Sequence, residues 1–288
     1  MGQLGVRSVS VFEPVIKWSG SKRSQAFDIL GYFPYEIDTY YEPFCGGCSV
    51  LNRLMHSDIQ VKHFVCSDLN NDLISLWNLI KDNSKEVFSY YKKLWNEINS
   101  LKDIEDRKQY FNKVRDKFNK EKNPLDFMFL MRTCTNGMPR YNSDGVFNSS
   151  FHFSRPGIAP ETLEKILNSW SFFLNKNGVE FICCSYEEIS PNKNDLAYFD
   201  PPYAKTKGMY FGGIDMNKFW DYLRNVKCSY LLSFDGISGD VNNTAEVPKD
   251  VFDKHVYLKS GNSSFKRIVG NSKDSMVYES LYIRSCEE

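Results

Sequence analysis

Four residues, Asp200-Pro201-Pro202-Tyr203, constrain the fold of this chain more than any others. They follow the apolar run Leu196-Ala197-Tyr198-Phe199, which has the length and composition of a buried strand. Two consecutive prolines lack backbone N–H groups and fix φ, so the strand must end there and pass into a stiff loop. That loop carries a carboxylate, a carbonyl and an aromatic ring at the edge where open α/β sheets bind ligands. A turn that merely ends the strand is the alternative interpretation.

The composition predicts a globular protein in a reducing compartment. The 288 residues suffice for one large domain or two small ones. No run of about eighteen apolar residues occurs, and the first residues lack a charged-then-apolar pattern, so we expect no membrane span and no export. Eight irregularly spaced cysteines predict reduced thiols in the cytoplasm, although a redox pair at Cys45-Gly46-Gly47-Cys48 stays open. No histidine lies at zinc-binding spacing from cysteines, so no metal is predicted.

The charge distribution argues against a sequence-blind nucleic-acid coat protein. The formal net charge is zero. Basic residues outnumber acidic ones between Lys81 and Lys122, which fits either a solvated helical face or a surface that binds phosphates.

The first third of the chain alternates strand and helix. Tyr40–Phe44 is predicted to be a strand that runs into the turn Cys45–Cys48, and a helix from Ser49 to about His56 follows. His63–Ser67 is a second short strand, which ends at Asp68. This order indicates a βαβ unit.

Residues 70–157 have a different pattern and are predicted to form a separate, mostly helical insertion. Apolar residues recur at helical spacing from Asp72 to about Phe118, and a nearly all-apolar helix is predicted for Pro124–Thr133. Arg140–Asn142 and Val146–Asn148 flank a turn signal and predict an exposed hairpin. A helix and five apolar strands follow: 161–175, then 180–184, 196–199, 230–234, 256–258 and 280–283.

These elements predict an α/β fold with a Rossmann-like sheet, helices on both faces, and an inserted helical domain with a β-hairpin. The α/β domain comprises residues 1–69 and 158–288, and the insertion comprises residues 70–157.

The glycine turn and the next acid predict a nucleoside-like ligand without a pyrophosphate. The turn does not match G-x-G-x-x-G, and no G-x-x-x-x-G-K-[ST] occurs, so neither a dinucleotide nor P-loop chemistry is indicated. Asp68 is placed to accept hydrogen bonds from ribose hydroxyls. Its alternative role is to cap the following helix. The segment Lys17–Arg23 either covers a ligand carboxylate, with Trp18 packed against it, or is an exposed basic loop.

Four ordered motifs carry a resemblance to a known family. Lys-Trp-Ser-Gly-Ser-Lys from Lys17, Glu-Pro-Phe-Cys-Gly-Gly-Cys-Ser-Val from Glu42, Ser-Asp-Leu-Asn from Ser67 and Tyr-Phe-Asp-Pro-Pro-Tyr from Tyr198 resemble the Dam-type (D12 class, alpha group) N6-adenine DNA methyltransferases. The segment Asn136–Asn148 resembles the DNA-reading hairpin of that family. A weaker similarity continues through Glu279–Tyr282.

The resemblance implies S-adenosylmethionine as the methyl donor and double-stranded DNA as the substrate. By position, it assigns the target adenine to Asp200, Pro201 and Tyr203, with Asp200 also beside the donor. It assigns DNA contacts to Arg140, with Asn136, Tyr141 and Asn142 as further candidates. It assigns donor contacts to Trp18 and Lys22 at the methionine end, Phe44, Gly46 and Gly47 in the pocket wall, Asp68 at the ribose, and Ser185 where the family commonly has an acid beside the adenine ring.

The residue types fit that chemistry. Two acceptors, the Asp200 carboxylate and the Pro201 carbonyl, can take the two protons of an exocyclic amine and direct its lone pair at the methyl group. Arginine reads guanine in the major groove, so Arg140 is expected to contact a guanine beside the target adenine, with a simple phosphate contact as the alternative.

The functional prediction is methylation of adenine N6, by base flipping and direct attack, in a short DNA site that resembles GATC. The same reaction on RNA or on a protein amide is one alternative, and a catalytically inactive DNA-binding relative is another. A cognate restriction endonuclease is a candidate partner, and a monomer or weak dimer is expected.

Overall fold

The computed structural model describes residues 10–154, 157–202, 214–238, 241–262 and 276–286. Within them the chain forms helices α1 (Ala26–Leu30), α2 (Ser49–Met55), α3 (Asn71–Ser100, interrupted at Asn83), α4 (Ile104–Glu121), α5 (Pro124–Thr133), α6 (Pro160–Lys176) and α7 (Met216–Asn225). The strands are β1 (Glu36–Glu42), β2 (Gln60–Asp68), β3 (Glu180–Cys183), β4 (Leu196–Phe199), β5 (Ser229–Ser238), β6 (Val241–Asn242), β7 (Lys254–Asn262) and β8 (Met276–Arg284).

These residues divide into two compact units. One unit comprises the described residues up to 21 and residues 68–183, and we call it the helical unit. The other comprises residues 22–67 and the described residues from 184 onward, and we call it the sheet unit.

The sheet unit contains a mixed sheet whose first strands are parallel. The hydrogen-bonded order is β2-β1-β4-β5-β8-β7, and the short β6 pairs with β5. Strands β2, β1, β4 and β5 run parallel, whereas β8 and β7 are antiparallel additions. All four residues of β4 are buried, because β1 and β5 cover both of its edges and side chains cover both of its faces. Parallel strands end at the same edge, so β1 and β4 bring Glu42 and Asp200 to one edge of this sheet.

The helical unit is held together by aromatic packing around α3. The Trp77 ring lies 4.9 Å from the Trp170 ring of α6 and stacks on Phe181 of β3 at 5.6 Å between centroids. Tyr91 donates a hydrogen bond to the carbonyl of Ile158. Phe118 and Phe127 stack on each other, and the Phe147 ring of the hairpin meets both edge-on.

The structure confirms the predicted fold class, an α/β protein with a Rossmann-like parallel sheet. Each predicted strand and helix is present, with β4 and α5 at the predicted bounds. The hairpin is present as well, with an antiparallel bridge between Tyr141 and Phe147. The predicted functional division at residues 70 and 157 stays a prediction. The compact units have different limits, because α6 and β3 pack on α3 and therefore belong to the helical unit.

Candidate functional site

The loop after β4 holds an acid that is paired with a buried lysine. Lys22, which lies just before α1 and is 4% exposed, donates a hydrogen bond from Nζ to Asp200 Oδ2 at 2.8 Å. Asp200 is 18% exposed, and the following Pro201 is buried. A partly accessible carboxylate is therefore held at the strand end, where the two prolines stop the chain from pairing further.

A second acid contacts the same ammonium group from strand β8. Glu279 Oε2 lies 3.4 Å from Lys22 Nζ. Burial alone would lower the pKa of Lys22, but the Asp200 and Glu279 carboxylates outweigh that effect and raise this pKa well above its ordinary value. Lys22 therefore stays charged at every working pH. We call Lys22, Asp200 and Glu279 the charged triad.

The triad contains one predicted donor contact and one residue outside the predicted site. The Lys22 ammonium group contacts the acid of the Asp-Pro-Pro-Tyr loop, and its contact with the methionine end of a donor stays a prediction. Glu279 was not assigned to the site at all. The signal that could have found it is the weaker family similarity that begins at Glu279, although the sequence alone does not say what this acid faces.

Glu42, the last residue of β1, is a third acid at this edge of the sheet. It is 3% exposed, and its Oε2 accepts hydrogen bonds from the Tyr40 hydroxyl at 2.8 Å and from the Leu51 backbone N–H at 3.0 Å. Burial raises the pKa of Glu42 to about 8, and the charge of Asp200 adds to this rise, while the two hydrogen bonds oppose it. Glu42 is therefore mostly a neutral acid near pH 7.

We expect the substitution Glu42→Gln to flatten the pH dependence of stability. Between its ordinary pKa of 4.5 and about 8, the folded protein keeps a proton on Glu42 that the unfolded chain releases. The free energy of unfolding therefore falls as the pH rises through this window, by up to roughly 1.4 kcal/mol for each pH unit. Glutamine keeps an acceptor and has no proton to lose. Urea unfolding at several pH values in this window measures both slopes.

The control for this prediction is Glu36→Gln, at the exposed start of the same strand. It should keep the slope of the unsubstituted protein. Equal slopes for the unsubstituted protein and for Glu42→Gln would contradict the protonated state.

The turn after β1 has the tight geometry that its glycines predict. Gly46 has φ of +45° and Cys48 has φ of +53°, both in the left-handed region, and the Cys45 N–H donates to the Ser67 carbonyl at 3.0 Å. Phe44 is half-buried, and its ring lies 5.6 Å from that of Tyr186 and 6.0 Å from that of Phe219. These contacts fix the turn and the Phe44 ring, and the contacts of Phe44, Gly46 and Gly47 with a donor stay predictions.

Cys45 and Cys48 are both buried free thiols in this structure. All eight cysteines lie in the described part of the chain and are free thiols. Burial raises the pKa of the Cys48 thiol well above its ordinary value, which is the opposite of what a reactive thiol needs.

Ser185 begins a short helical turn. Its hydroxyl accepts a hydrogen bond from the Glu187 N–H, and the Glu188 carboxylate accepts one from the Ser185 N–H, which together form a capping box. The structure therefore shows a local structural role for Ser185, and its contact with a donor stays a prediction.

In the helical unit, Asp68 ends β2 and precedes α3. Its Oδ1 accepts a hydrogen bond from the Asn70 N–H at 2.9 Å, while the Asn70 side chain accepts from the Leu73 N–H and caps α3. Asn70 is the N-cap residue, so the cap role considered for Asp68 belongs to Asn70. Trp18 is half-buried. The adjacent Lys17 lies against Gly137, where an added Cβ would come within 2.2 Å of the Lys17 Cβ.

The hairpin presents one predicted DNA contact on a fixed backbone. The Arg140 N–H donates to Ser149 Oγ and the Arg140 carbonyl accepts from the Asn148 N–H, each at 2.8 Å. The Arg140 side chain is exposed, and no hydrogen bond or ion pair engages its guanidinium group within the described residues. Asn136 is also exposed, with φ of +60°.

The other two candidates for DNA contact hold the hairpin together. Asn142 Oδ1 accepts hydrogen bonds from the Asp144 and Val146 N–H groups, so its carbonyl shapes the turn. Tyr141 donates to Asp72 Oδ2 at 3.0 Å, and its ring meets Phe147 edge-on. These contacts show structural roles, and direct contacts with DNA stay predictions. Tyr203 lies outside the described residues.

The described helices include none with both the length and the apolar character that crossing a bilayer requires. Within the same residues, no three His, Cys, Asp or Glu side chains are grouped to hold a metal ion.

Comparison with known proteins places the chain among DNA-modifying enzymes. A family model described as D12 class N6 adenine-specific DNA methyltransferase matches residues 18–274. The chain is 34% identical to the type II methyltransferase M.MjaIII of Methanocaldococcus jannaschii over 66% of this chain and 69% of that protein. It is 28% identical to the DNA adenine methylase of Haemophilus influenzae over 66% of this chain and 64% of that protein. Among solved structures, the rRNA methyltransferase aviRa from Streptomyces viridochromogenes aligns over 97% of this chain and 91% of that one, with 10% identity and a TM-score of 0.40.

Proposed function

Because the chain belongs to the D12 class of N6 adenine-specific DNA methyltransferases, we propose that it transfers a methyl group from S-adenosylmethionine to N6 of adenine in a short duplex site. The observation that carries this proposal is the partly exposed Asp200 carboxylate, ion-paired with Lys22 at the carboxyl end of β4 and followed by two prolines. An acceptor fixed in this way suits an amine that must be held while it reacts.

The residues present fit the donor that the family uses. S-adenosylmethionine, when bound, supplies an electrophilic methyl group on a positively charged sulfur. We propose that the glycine turn at Gly46 and Gly47, with Phe44, contacts the donor, and that the Asp68 carboxylate accepts hydrogen bonds from its ribose hydroxyls. By family position, Trp18, Lys22 and Ser185 are further candidates for donor contacts. The pairing of Lys22 with Asp200 favours a role for Lys22 at the reacting end.

The reaction needs the adenine amine to become a nucleophile, because its lone pair is delocalised into the ring. The Asp200 carboxylate and the Pro201 carbonyl would each accept one proton of the amine in a hydrogen bond. This pulls the nitrogen toward a pyramidal geometry and directs its lone pair away from the ring. The negative charge of Asp200 would stabilise the positive charge that develops on the nitrogen. As the bond from nitrogen to the methyl group forms, the bond from methyl to sulfur would break, and the methylated amine would then release one proton to solvent. Tyr203 is proposed to stack on the adenine.

A base inside a duplex cannot reach acceptors at a sheet edge, so the target adenine must leave the stack. Recognition of its neighbours is proposed to lie in the hairpin. Arg140 is exposed on a rigid backbone and suits bidentate contact with a guanine, which makes a GATC-like site our proposal. Asn136, Tyr141 and Asn142 are proposed as secondary contacts, or as supports for Arg140.

We propose that the protein acts in the cytoplasm as a monomer or weak dimer. A cognate restriction endonuclease is a candidate partner, because the Methanocaldococcus relative is named a type II methyltransferase.

Uptake of labelled methyl groups tests this function. We expect transfer from labelled S-adenosylmethionine to duplex DNA that contains candidate sites, and digestion to nucleosides should recover the label in N6-methyladenine. RNA of the same sequence and bulk protein are the competing substrates. Label in RNA or protein, with none in DNA, would assign the same chemistry to another amine. Donor binding without transfer to any substrate would favour an inactive DNA-binding relative.

A further inference from the structure

Glu279 makes two contacts, with Lys22 and Ser260, that have no role in the reaction proposed above. Its Oε2 is buried and has no hydrogen-bond partner within the described residues, but it lies 3.4 Å from the Lys22 ammonium group. Its Oε1 accepts a hydrogen bond from the Ser260 hydroxyl on the neighbouring strand β7 at 3.1 Å. A carboxylate oxygen buried without a hydrogen bond is costly, and the nearby ammonium charge offsets that cost.

The backbone around Glu279 is irregular in a way that directs its side chain. Strand β8 pairs with β5 regularly up to Ser280 opposite Phe234, and the register then shifts so that Tyr278 lies opposite Ile237. This bulge faces Glu279. Gly236 lies in it, and an added Cβ there would come within 2.3 Å of the Tyr278 carbonyl and 3.0 Å of the Glu279 Cα. Bulges commonly re-aim a side chain beside an active site.

The charges of the triad have a consequence for methyl transfer. Lys22 and Asp200 alone form a neutral pair, whereas Glu279 gives the triad one net negative charge. Methyl transfer builds positive charge on the acceptor nitrogen, and a net negative group stabilises that charge in a water-poor site. Without Glu279, the Lys22 ammonium would interact more strongly with Asp200, and it would weaken Asp200 as an acceptor for the amine.

We propose that Glu279 is a positioning residue for methyl transfer, which acts by holding Lys22 and so sets the position and the acceptor strength of Asp200. The inference rests on the proposed function. Ser260 supports Glu279 from β7, and the β5 bulge at Gly236 aims it.

The test is Glu279→Gln, which keeps the shape and removes the charge. We expect a fall in kcat on the order of tenfold, smaller than the roughly 10²–10³-fold typical of a group that contacts the reacting atoms directly. The KM for DNA and the Kd for S-adenosylmethionine, from calorimetric titration, should change little. Ser260→Ala should reduce kcat less, because the ion pair remains. Asp253→Asn is the matched control. Asp253 pairs with the exposed Arg284, and we expect the loss of this surface ion pair to leave kcat unchanged.

A double substitution separates positioning from a general structural effect. In a Lys22→Met background, Glu279→Gln should have little further effect on kcat, because Glu279 is proposed to act on Asp200 through the Lys22 ammonium group. An equal loss in both backgrounds, or an unchanged kcat in the single variant, would overturn the proposal. If the unsubstituted protein binds donor but methylates no DNA, the proposed function fails before this comparison begins, so the two failures are distinct.

Discussion

The substitution Asp200→Ala is expected to reduce methyl transfer by at least about 10²–10³-fold. The variant loses the acceptor that is proposed to hold the amine and the negative charge that is proposed to stabilise its transition state. Because Glu279 still contacts Lys22, the buried ammonium keeps a counter-ion and the fold should persist. Single-turnover transfer of labelled methyl groups to DNA measures the loss, and circular dichroism checks the fold.

Two measurements make this result specific to the chemistry. The Kd for S-adenosylmethionine should stay within a few-fold of its original value, since the acid is proposed to act mainly on the adenine. Asp200→Asn keeps an acceptor of the same shape but loses the charge and its ion pair, so it separates geometry from electrostatics. A native transfer rate in the alanine variant would show that the mechanism is misassigned.

Local patterns in the sequence were enough to predict the elements that position this site. The apolar run Leu196–Phe199 followed by two prolines predicts a buried strand and its end, because both properties are local. Helix α5 begins with Pro124 at its first turn, where the missing N–H costs nothing, and it ends at the predicted residue.

Helix α7 was missed although it carries local signals. Asp215 caps it by accepting hydrogen bonds from the Asn217 and Lys218 N–H groups, and Phe219, Trp220 and Leu223 form its buried face. Met216, Phe219, Trp220 and Leu223 recur at helical spacing, so the local pattern is sufficient to predict this helix.

The charged triad could not be predicted from the sequence, because its members meet only through the sheet order. Lys22 and Asp200 are 178 residues apart in the chain, and Glu279 joins them from an antiparallel strand added beyond β5. The sequence shows three charged residues but not which of them pair. The raised pKa of Glu42 has the same origin, since its burial depends on β1 lying inside the sheet.

In the hairpin, residue type does not show whether a polar side chain is available for DNA or holds the turn. The resemblance makes Arg140 the main candidate for DNA contact and Tyr141 and Asn142 further candidates. Asn142 forms hydrogen bonds within the turn, and Tyr141 forms one to Asp72. These two polar residues therefore stabilise the conformation of the hairpin. The exposed and unpaired side chain of Arg140, within the described residues, is what distinguishes it.

The substitution Arg140→Ala is expected to relax discrimination at one guanine of the site. A lost bidentate contact costs roughly 1–3 kcal/mol, so the ratio of kcat/KM between the native site and its single-guanine variants should fall by about 5- to 150-fold at one position. The Arg140 side chain is exposed, and its hydrogen bond to Ser149 uses the backbone N–H. We therefore expect the loss of discrimination without a loss of stability. Competition between DNA duplexes that differ at single positions, at fixed salt, measures it.

Lys120→Ala is the matched control, because Lys120 is an exposed cation on α4 of the same unit. If the basic helices contact phosphates, this variant should weaken binding to all duplexes alike and reduce the dependence of affinity on salt. Arg140→Lys should restore affinity more than discrimination, since an ammonium group contacts phosphate but lacks the planar fork that reads guanine. Equal weakening of every duplex by Arg140→Ala would instead make Arg140 a phosphate contact, and the reading of the site would have to come from another part of the hairpin.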